Sequence, residues 1–91
     1  MCGFGGMVHW DRAPIGPEEL KGMCSLLKHR GPDEQNVALP STGVGLSHAR
    51  LRVVDLSPAA AQPMSNETGT LWICFNGEIY NFQGLRQEMI Q

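Results

Sequence analysis

The stretch Phe75-Asn76-Gly77-Glu78-Ile79-Tyr80-Asn81 comes directly after the apolar run Leu71-Trp72-Ile73-Cys74, and the architecture turns on what this junction does. A strand over Leu71 to Phe75 would end on Asn-Gly, which after a strand is ordinarily a hairpin turn. The ordinary outcome fits less well here, because Ile79-Tyr80 is too short a return strand before the helix-like segment after Asn81. A chemical role then competes with the turn. Attack on an amide carbonyl builds negative charge on oxygen, and donors must be aimed at that oxygen in advance. Asn76 offers a side-chain N–H, and Gly77 offers a backbone N–H with no Cβ to block close approach.

The nucleophile that such a pair would serve stands at the other end of the chain. Cys2 follows Met1, so loss of one methionine would put a thiol and a free α-amine on the same residue. A thiol at its ordinary pKa is only slightly ionised at neutral pH and needs a proton acceptor. An α-amine, with a pKa of ~7.7–8.0, can be that acceptor. The small Cys2 side chain should permit methionine removal, and Gly3 keeps the neighbourhood open. Taken alone, position 2 is equally well an unremarkable cysteine leading into a buried first strand.

The chain resembles the class II glutamine amidotransferase domain of the N-terminal-nucleophile hydrolases, and within it the glutamine-hydrolysing asparagine synthetases match best. The resemblance rests on Met1-Cys2-Gly3, His29-Arg30-Gly31-Pro32-Asp33, Ser47-His48-Ala49-Arg50-Leu51, Val53-Val54-Asp55-Leu56, Gln62-Pro63-Met64-Ser65-Asn66 and Asn76-Gly77-Glu78, in that order. It implies that Cys2 attacks the side-chain carbonyl of glutamine and that Asn76 and Gly77 hold the oxyanion. A γ-glutamyl thioester would form and be hydrolysed, releasing ammonia and glutamate. It implies further that Arg50 clamps the substrate α-carboxylate, that Leu51 and Val53 present backbone groups to the same ligand, and that Glu78 binds its amino end. A guanidinium suits the clamp because its fork pairs both carboxylate oxygens. Arg50 could instead be a surface arginine beside Arg52.

Arg52, where relatives carry a small residue, and Phe4, in place of a more usual aliphatic, alter packing or charge more than chemistry. By the same resemblance, residues 1–91 correspond to the N-terminal portion of a glutaminase domain. The chain stops before the aspartate that would bind the substrate α-amino group, and the ATP-dependent synthetase domain is absent. That domain would use ATP and magnesium to amidate aspartate, and the full-length enzyme could be a homodimer. No cofactor is expected in residues 1–91. Two alternatives stay open: an amidotransferase of the same family with a different acceptor, and a truncated, non-catalytic fragment or interaction module. The isolated 91-residue chain is expected to be inactive.

Composition agrees with a globular piece. Hydrophobic residues make up 42% and charged residues 18%, with a formal net charge of −2, which is ordinary for a soluble domain. No basic patch with interleaved aromatics suggests nucleic acid, no apolar run suggests a membrane span, and the N-terminus lacks signal-peptide features. The cytoplasm is the expected location. Cys2, Cys24 and Cys74 are an odd number without metal spacing, which argues against a disulfide framework. Cys24 and Cys74 lie on apolar stretches as small core residues. His9, His29 and His48 share no zinc-site spacing, and no metal site is expected. His48, beside the strand bearing Arg50, could shape the glutamine pocket, but a hydrogen-bonded structural histidine is the stronger expectation; His29 to Asp33 is expected to fix a turn and salt bridges near the site entrance.

Periodicity and breakers supply the rest of an α+β reading. Gly3 to Val8 reads as the first strand and Ala13 to Gly16 as a loop. A helix starts at Pro17, with Glu18 and Glu19 on its N-terminal dipole, Leu20, Met23, Cys24 and Leu27 on one face, and Lys28, His29 and Arg30 at its end before Gly31-Pro32. Strands are expected over Gln35 to Leu39, Val44 to His48 and Leu51 to Val54, with Ser41-Thr42-Gly43 turning between the first two. Pro58 to Ser65 reads as a loop, Leu71 to Phe75 as a strand, and Asn81 as the N-cap of a helix from Phe82 to Ile90. The resemblance implies that these elements belong to a four-layer αββα sandwich of antiparallel sheets, incomplete in this chain.

Overall fold

A computed structural model describes residues 2–51, 60–77 and 79–90. Within them the chain forms β1 (Gly3–Val8), α1 (Pro17–Leu26), β2 (Glu34–Ser41), β3 (Val44–Arg50), β4 (Met64–Ser65), β5 (Trp72–Ile73) and α2 (Phe82–Met89). This is the mixed α+β composition that the sequence suggests. The expected strand Leu51 to Val54 lies outside the described residues except for Leu51, which is not in a strand.

β3 is the centre of an antiparallel three-stranded sheet of order β1-β3-β2. Its register sets Gly3 opposite Ala49, Gly5 opposite Ser47 and Met7 opposite Gly45. Because side chains alternate across a strand, these residues, all small except Met7, share one face. That face receives α1: a Cβ on Gly5 would lie 2.6 Å from the Met23 sulphur, and one on Gly45 2.7 Å from Leu20. Glycine therefore sets how closely helix and sheet approach, and the fully buried Leu20 occupies the space. Cys24 lies beside it, its thiol donating to the His48 carbonyl at 3.4 Å.

Pro17 opens α1 and Glu18 and Glu19 lie in its first turn, as the sequence indicates. The helix is shorter than expected at its other end. It stops at Leu26, and Lys28, His29 and Arg30 fall in the turn that follows rather than in the last helical turn. The Leu27 carbonyl explains this, accepting from both Arg30 N at 2.9 Å and Gly31 N at 3.3 Å and so curling the chain toward β2. The hairpin between β2 and β3 turns at Thr42-Gly43, with Gly43 at φ 82°, a conformation open to glycine at no steric cost. A register shift between Ala38 and Ser41 lets β2 run on through Pro40 to Ser41, beyond the expected Leu39.

The second sheet corrects the sequence reading in two places. Met64 and Ser65, expected in a loop, pair with Ile73 and Trp72 to form β4, and the strand expected over Leu71 to Phe75 is limited to Trp72–Ile73. Asn66 closes this hairpin, its Oδ1 accepting from Thr70 N at 2.9 Å and Leu71 N at 3.1 Å. In α2, Asn81 occupies the cap position but its side chain makes no capping bond; the Asn81 carbonyl instead accepts from Leu85 N at 3.2 Å. No residue of α2 is buried, and the helix ends at Met89, one residue before the expected Ile90.

Candidate active site

The β1–β3 register, continued one step past Gly3 and Ala49, sets Cys2 opposite Arg50 on the sheet face away from α1. The thiol is half-buried there. The backbone N–H of Leu51 donates to Cys2 Sγ at 3.3 Å, and Sγ can donate back to the Leu51 carbonyl at 3.7 Å. Two strand ends thus fix the sulphur, one through its own backbone and one through Leu51.

Arg50 is 5% exposed, so it is not the surface arginine that the sequence alone allowed. It stands directly across from Glu34 in the β2–β3 register, with Nη1 3.3 Å from Glu34 Oε2. The other carboxylate oxygen of Glu34 accepts from Asn36 Nδ2 at 2.8 Å. A buried guanidinium needs such a partner, because removing one member of a buried ion pair strands the other. Sequence reasoning singled out neither Glu34 nor Asn36.

The turn between α1 and β2 braces this end of β3. Gly31 is buried, and a Cβ there would fall 2.2 Å from the Ala49 carbonyl carbon and oxygen and 2.4 Å from Arg50 N. Asp33 N donates to the Arg50 carbonyl at 3.1 Å, and Gln35 Nε2 donates to the Gly31 carbonyl at 2.8 Å. The turn expected over His29 to Asp33 is present, and it holds the backbone that carries Arg50.

His48, two residues before Arg50 on the same face, is 1% exposed. It is buried as expected but not hydrogen-bonded as expected: neither ring nitrogen has a partner among the described residues. Burial pushes its pKa below 6.5; the nearby Phe75 backbone opposes this in part, the Arg50 charge adds to the lowering, and Glu34 opposes it least. Of the other two thiols, Cys24 is buried as expected and Cys74 half-buried. Burial pushes both upward, which suits inert packing rather than nucleophilic chemistry. Among the described residues no group of His, Cys, Asp and Glu is arranged to hold a metal ion, and no helix is long and apolar enough to cross a membrane.

Asn76 and Gly77 are exposed, and no hydrogen bond joins either to Cys2 among the described residues. Their approach is set by Gln62, whose Oε1 accepts from Phe75 N at 2.6 Å, and by Cys74, whose thiol reaches the Ser47 carbonyl at 3.8 Å. Gln62 is thus a positioning residue that the sequence marked only as part of a motif. Val53 and Glu78 lie outside the described residues. The structure therefore brings together Cys2, Leu51 and Arg50, while no hydrogen bond among the described residues ties the Asn-Gly pair to them.

A family model for the glutamine amidotransferase domain matches residues 1–91. The chain is 38% identical over 94 residues to glutamine-hydrolysing asparagine synthetase 1 of Bacillus subtilis, covering 98% of this chain and 14% of that protein. Against glutamine-hydrolysing asparagine synthetase B of Escherichia coli the identity is 37% over 90 residues, covering 97% and 16%. Amidase chry2 of Gibberella zeae is also 37% identical, over 100 residues, covering 98% and 15%. The chain thus spans well under a fifth of the length of each of these three relatives. No solved structure matches it.

Proposed function

Because the chain belongs to the glutamine amidotransferase domain family, we propose that it supplies the nucleophile and the carboxylate clamp of a glutaminase that frees ammonia from glutamine. The observation that carries this reading is the Cys2 sulphur held against Leu51, in register with the buried Arg50.

Removal of Met1 exposes the Cys2 α-amine, which takes the thiol proton as sulphur bonds to the glutamine side-chain carbonyl carbon. Asn76 Nδ2–H and Gly77 N–H receive the developing oxyanion. Collapse of this tetrahedral species breaks the C–N bond, and the α-ammonium returns its proton to the departing ammonia. Water then cleaves the thioester, giving glutamate and the free thiol. Arg50 pairs with the substrate α-carboxylate, while backbone groups of Leu51 and Val53 and the Glu78 side chain orient the rest of the amino acid. The Leu51 N–H, already on the sulphur, keeps it aimed through both steps. None of these steps calls on a metal or cofactor within residues 1–91.

In this reading the chain is the N-terminal part of a four-layer αββα domain, with α1 and the three-stranded sheet as two of its layers. The ammonia serves ATP- and magnesium-dependent amidation of aspartate by a synthetase domain of the whole protein. The second reading is a family member with a different acceptor; amidase chry2, not named as a synthetase, matches at nearly the same identity as the synthetases. The 91 residues by themselves are inactive. Exposed Asn76 and Gly77, and an α2 with nothing buried, support that.

The test is an intact mass of the full-length protein before and after treatment with a diazo-ketone analogue of glutamine. Loss of the Met1 mass and a single adduct on Cys2 are expected. Retained Met1 with no adduct overturns the mechanism, because an acylated amine cannot act as the base.

A further inference from the structure

We propose that Glu34, held by Asn36, is a positioning residue that sets the orientation of Arg50 and thereby the affinity for the substrate α-carboxylate. The inference rests on the reading of Arg50 as that clamp.

The three side chains form one relay across the site face of the sheet. Asn36 and Glu34 are two residues apart on β2 and so project to the same side, and Glu34 and Arg50 are direct cross-strand partners. The contacts are asymmetric: Asn36 Nδ2 takes Glu34 Oε1 at 2.8 Å, which leaves Oε2 turned to Arg50 Nη1 at 3.3 Å. A carboxylate fixed at one oxygen can hold its partner in a single direction, whereas an untethered one would follow the guanidinium. The side chain of Glu34 is only 18% exposed and that of Arg50 6%, so solvent screens the pair weakly.

A clamp gains from this arrangement. A guanidinium on a long flexible stem loses rotamer freedom when it binds a carboxylate, and that loss weakens binding unless the side chain is already ordered. Glu34 orders it before glutamine arrives. The Glu34 charge also repels an incoming carboxylate, so the two effects oppose each other. Pre-ordering is the larger of the two, because both side chains are mostly buried and the cross-strand pairing favours one orientation of the guanidinium.

The experiment compares Glu34→Ala, Glu34→Gln, Asn36→Ala, Arg50→Ala and the double variant Glu34→Ala/Arg50→Ala in the full-length protein. Each is assayed with glutamine and with glutamine α-amide, which carries no α-carboxylate. Glu34→Ala is expected to raise KM for glutamine about tenfold, ~1.4 kcal/mol, with kcat little changed and kcat/KM for the α-amide unaffected. Glu34→Gln keeps the shape and one acceptor and should fall between wild type and Glu34→Ala; Asn36→Ala should raise KM by a smaller factor. These two keep the proposal testable if Glu34→Ala does not fold. In the Arg50→Ala background, Glu34→Ala should change nothing further, since it acts through Arg50. An unchanged or lowered glutamine KM in the Glu34 variants, while Arg50→Ala raises it, overturns the inference and leaves the clamp intact. Equal losses on both substrates also overturn it, assigning Glu34 to the fold alone. If Arg50→Ala itself spares glutamine KM, the clamp reading fails and the inference fails with it.

Discussion

The Leu51 amide reaches the Cys2 sulphur at 3.3 Å, joining the residue before β1 to the residue after β3. They stand 49 positions apart in sequence, and the antiparallel register closes that gap. Cys2→Ala removes the nucleophile and leaves the backbone pairing of Gly3 with Ala49 in place. Glutamine hydrolysis by the full-length protein should fall to background while synthesis from added ammonia continues. Glutamate release and product formation, measured side by side, check this; undiminished glutamate release would exclude Cys2 as the nucleophile.

Glycine at position 31 is a steric requirement of the site. A Cβ 2.2 Å from the Ala49 carbonyl meets backbone, which cannot swing aside as a side-chain tip can. Gly31→Ala should destabilise the protein by about 3 kcal/mol or more, toward the upper end of overpacking costs, and should raise glutamine KM because Arg50 N is also displaced. Gly22 makes the contrast: it lies exposed within α1, and a Cβ there meets nothing within 4 Å. Gly22→Ala should stabilise by roughly 0.4–1 kcal/mol through helix propensity and a less flexible unfolded chain. Denaturant midpoints of the two variants should move in opposite directions.

Much of this was legible in residue order. Gly3 to Val8 and Val44 onward announced themselves as strands, and Pro17 with two glutamates marked the start of α1. The Glu34–Arg50 pair was hidden by one residue. Ser41 pairs with Val44 at the turn, and counting back without interruption puts Gln35, not Glu34, opposite Arg50. The irregularity between Ala38 and Ser41 shifts the register by one and exchanges the faces of β2. No local signal in Ala38-Leu39-Pro40-Ser41 fixes that shift beyond the proline, which breaks ladder pairing. β4 was missed for a different reason. Two residues carry no periodicity, and Met64–Ser65 is a strand only because Trp72 and Ile73 lie beside it.

The Asn-Gly pair and the arginine should separate kinetically. An oxyanion donor acts only where charge develops, so Asn76→Ala should lower kcat by about 10²–10³ with KM little changed. Arg50→Lys keeps the charge and loses the fork, and should mainly raise KM. The lysine variant is preferable to Arg50→Ala for this comparison, because the alanine takes the positive charge away from the Glu34 carboxylate in a poorly solvated site. Steady-state kinetics on both variants decides the matter: identical changes in kcat and KM would mean that the two residues do not have separate roles.

His48 should make the protein acid-sensitive. Its pKa in the fold lies below 6.5, chiefly because burial disfavours the imidazolium; the Phe75 backbone offsets part of this and Arg50 adds repulsion. The unfolded chain therefore binds the extra proton more readily than the folded one. By linkage, stability is fully present above the unfolded value near 6.5 and is lost as pH falls from there toward the folded pKa. One such group contributes a slope of at most about 1.4 kcal/mol per pH unit. His48→Gln removes the titration and keeps a neutral side chain, so its melting midpoint should fall less than that of the wild type between pH 7 and pH 5. Parallel curves for the two proteins would mean that the acid sensitivity arises elsewhere.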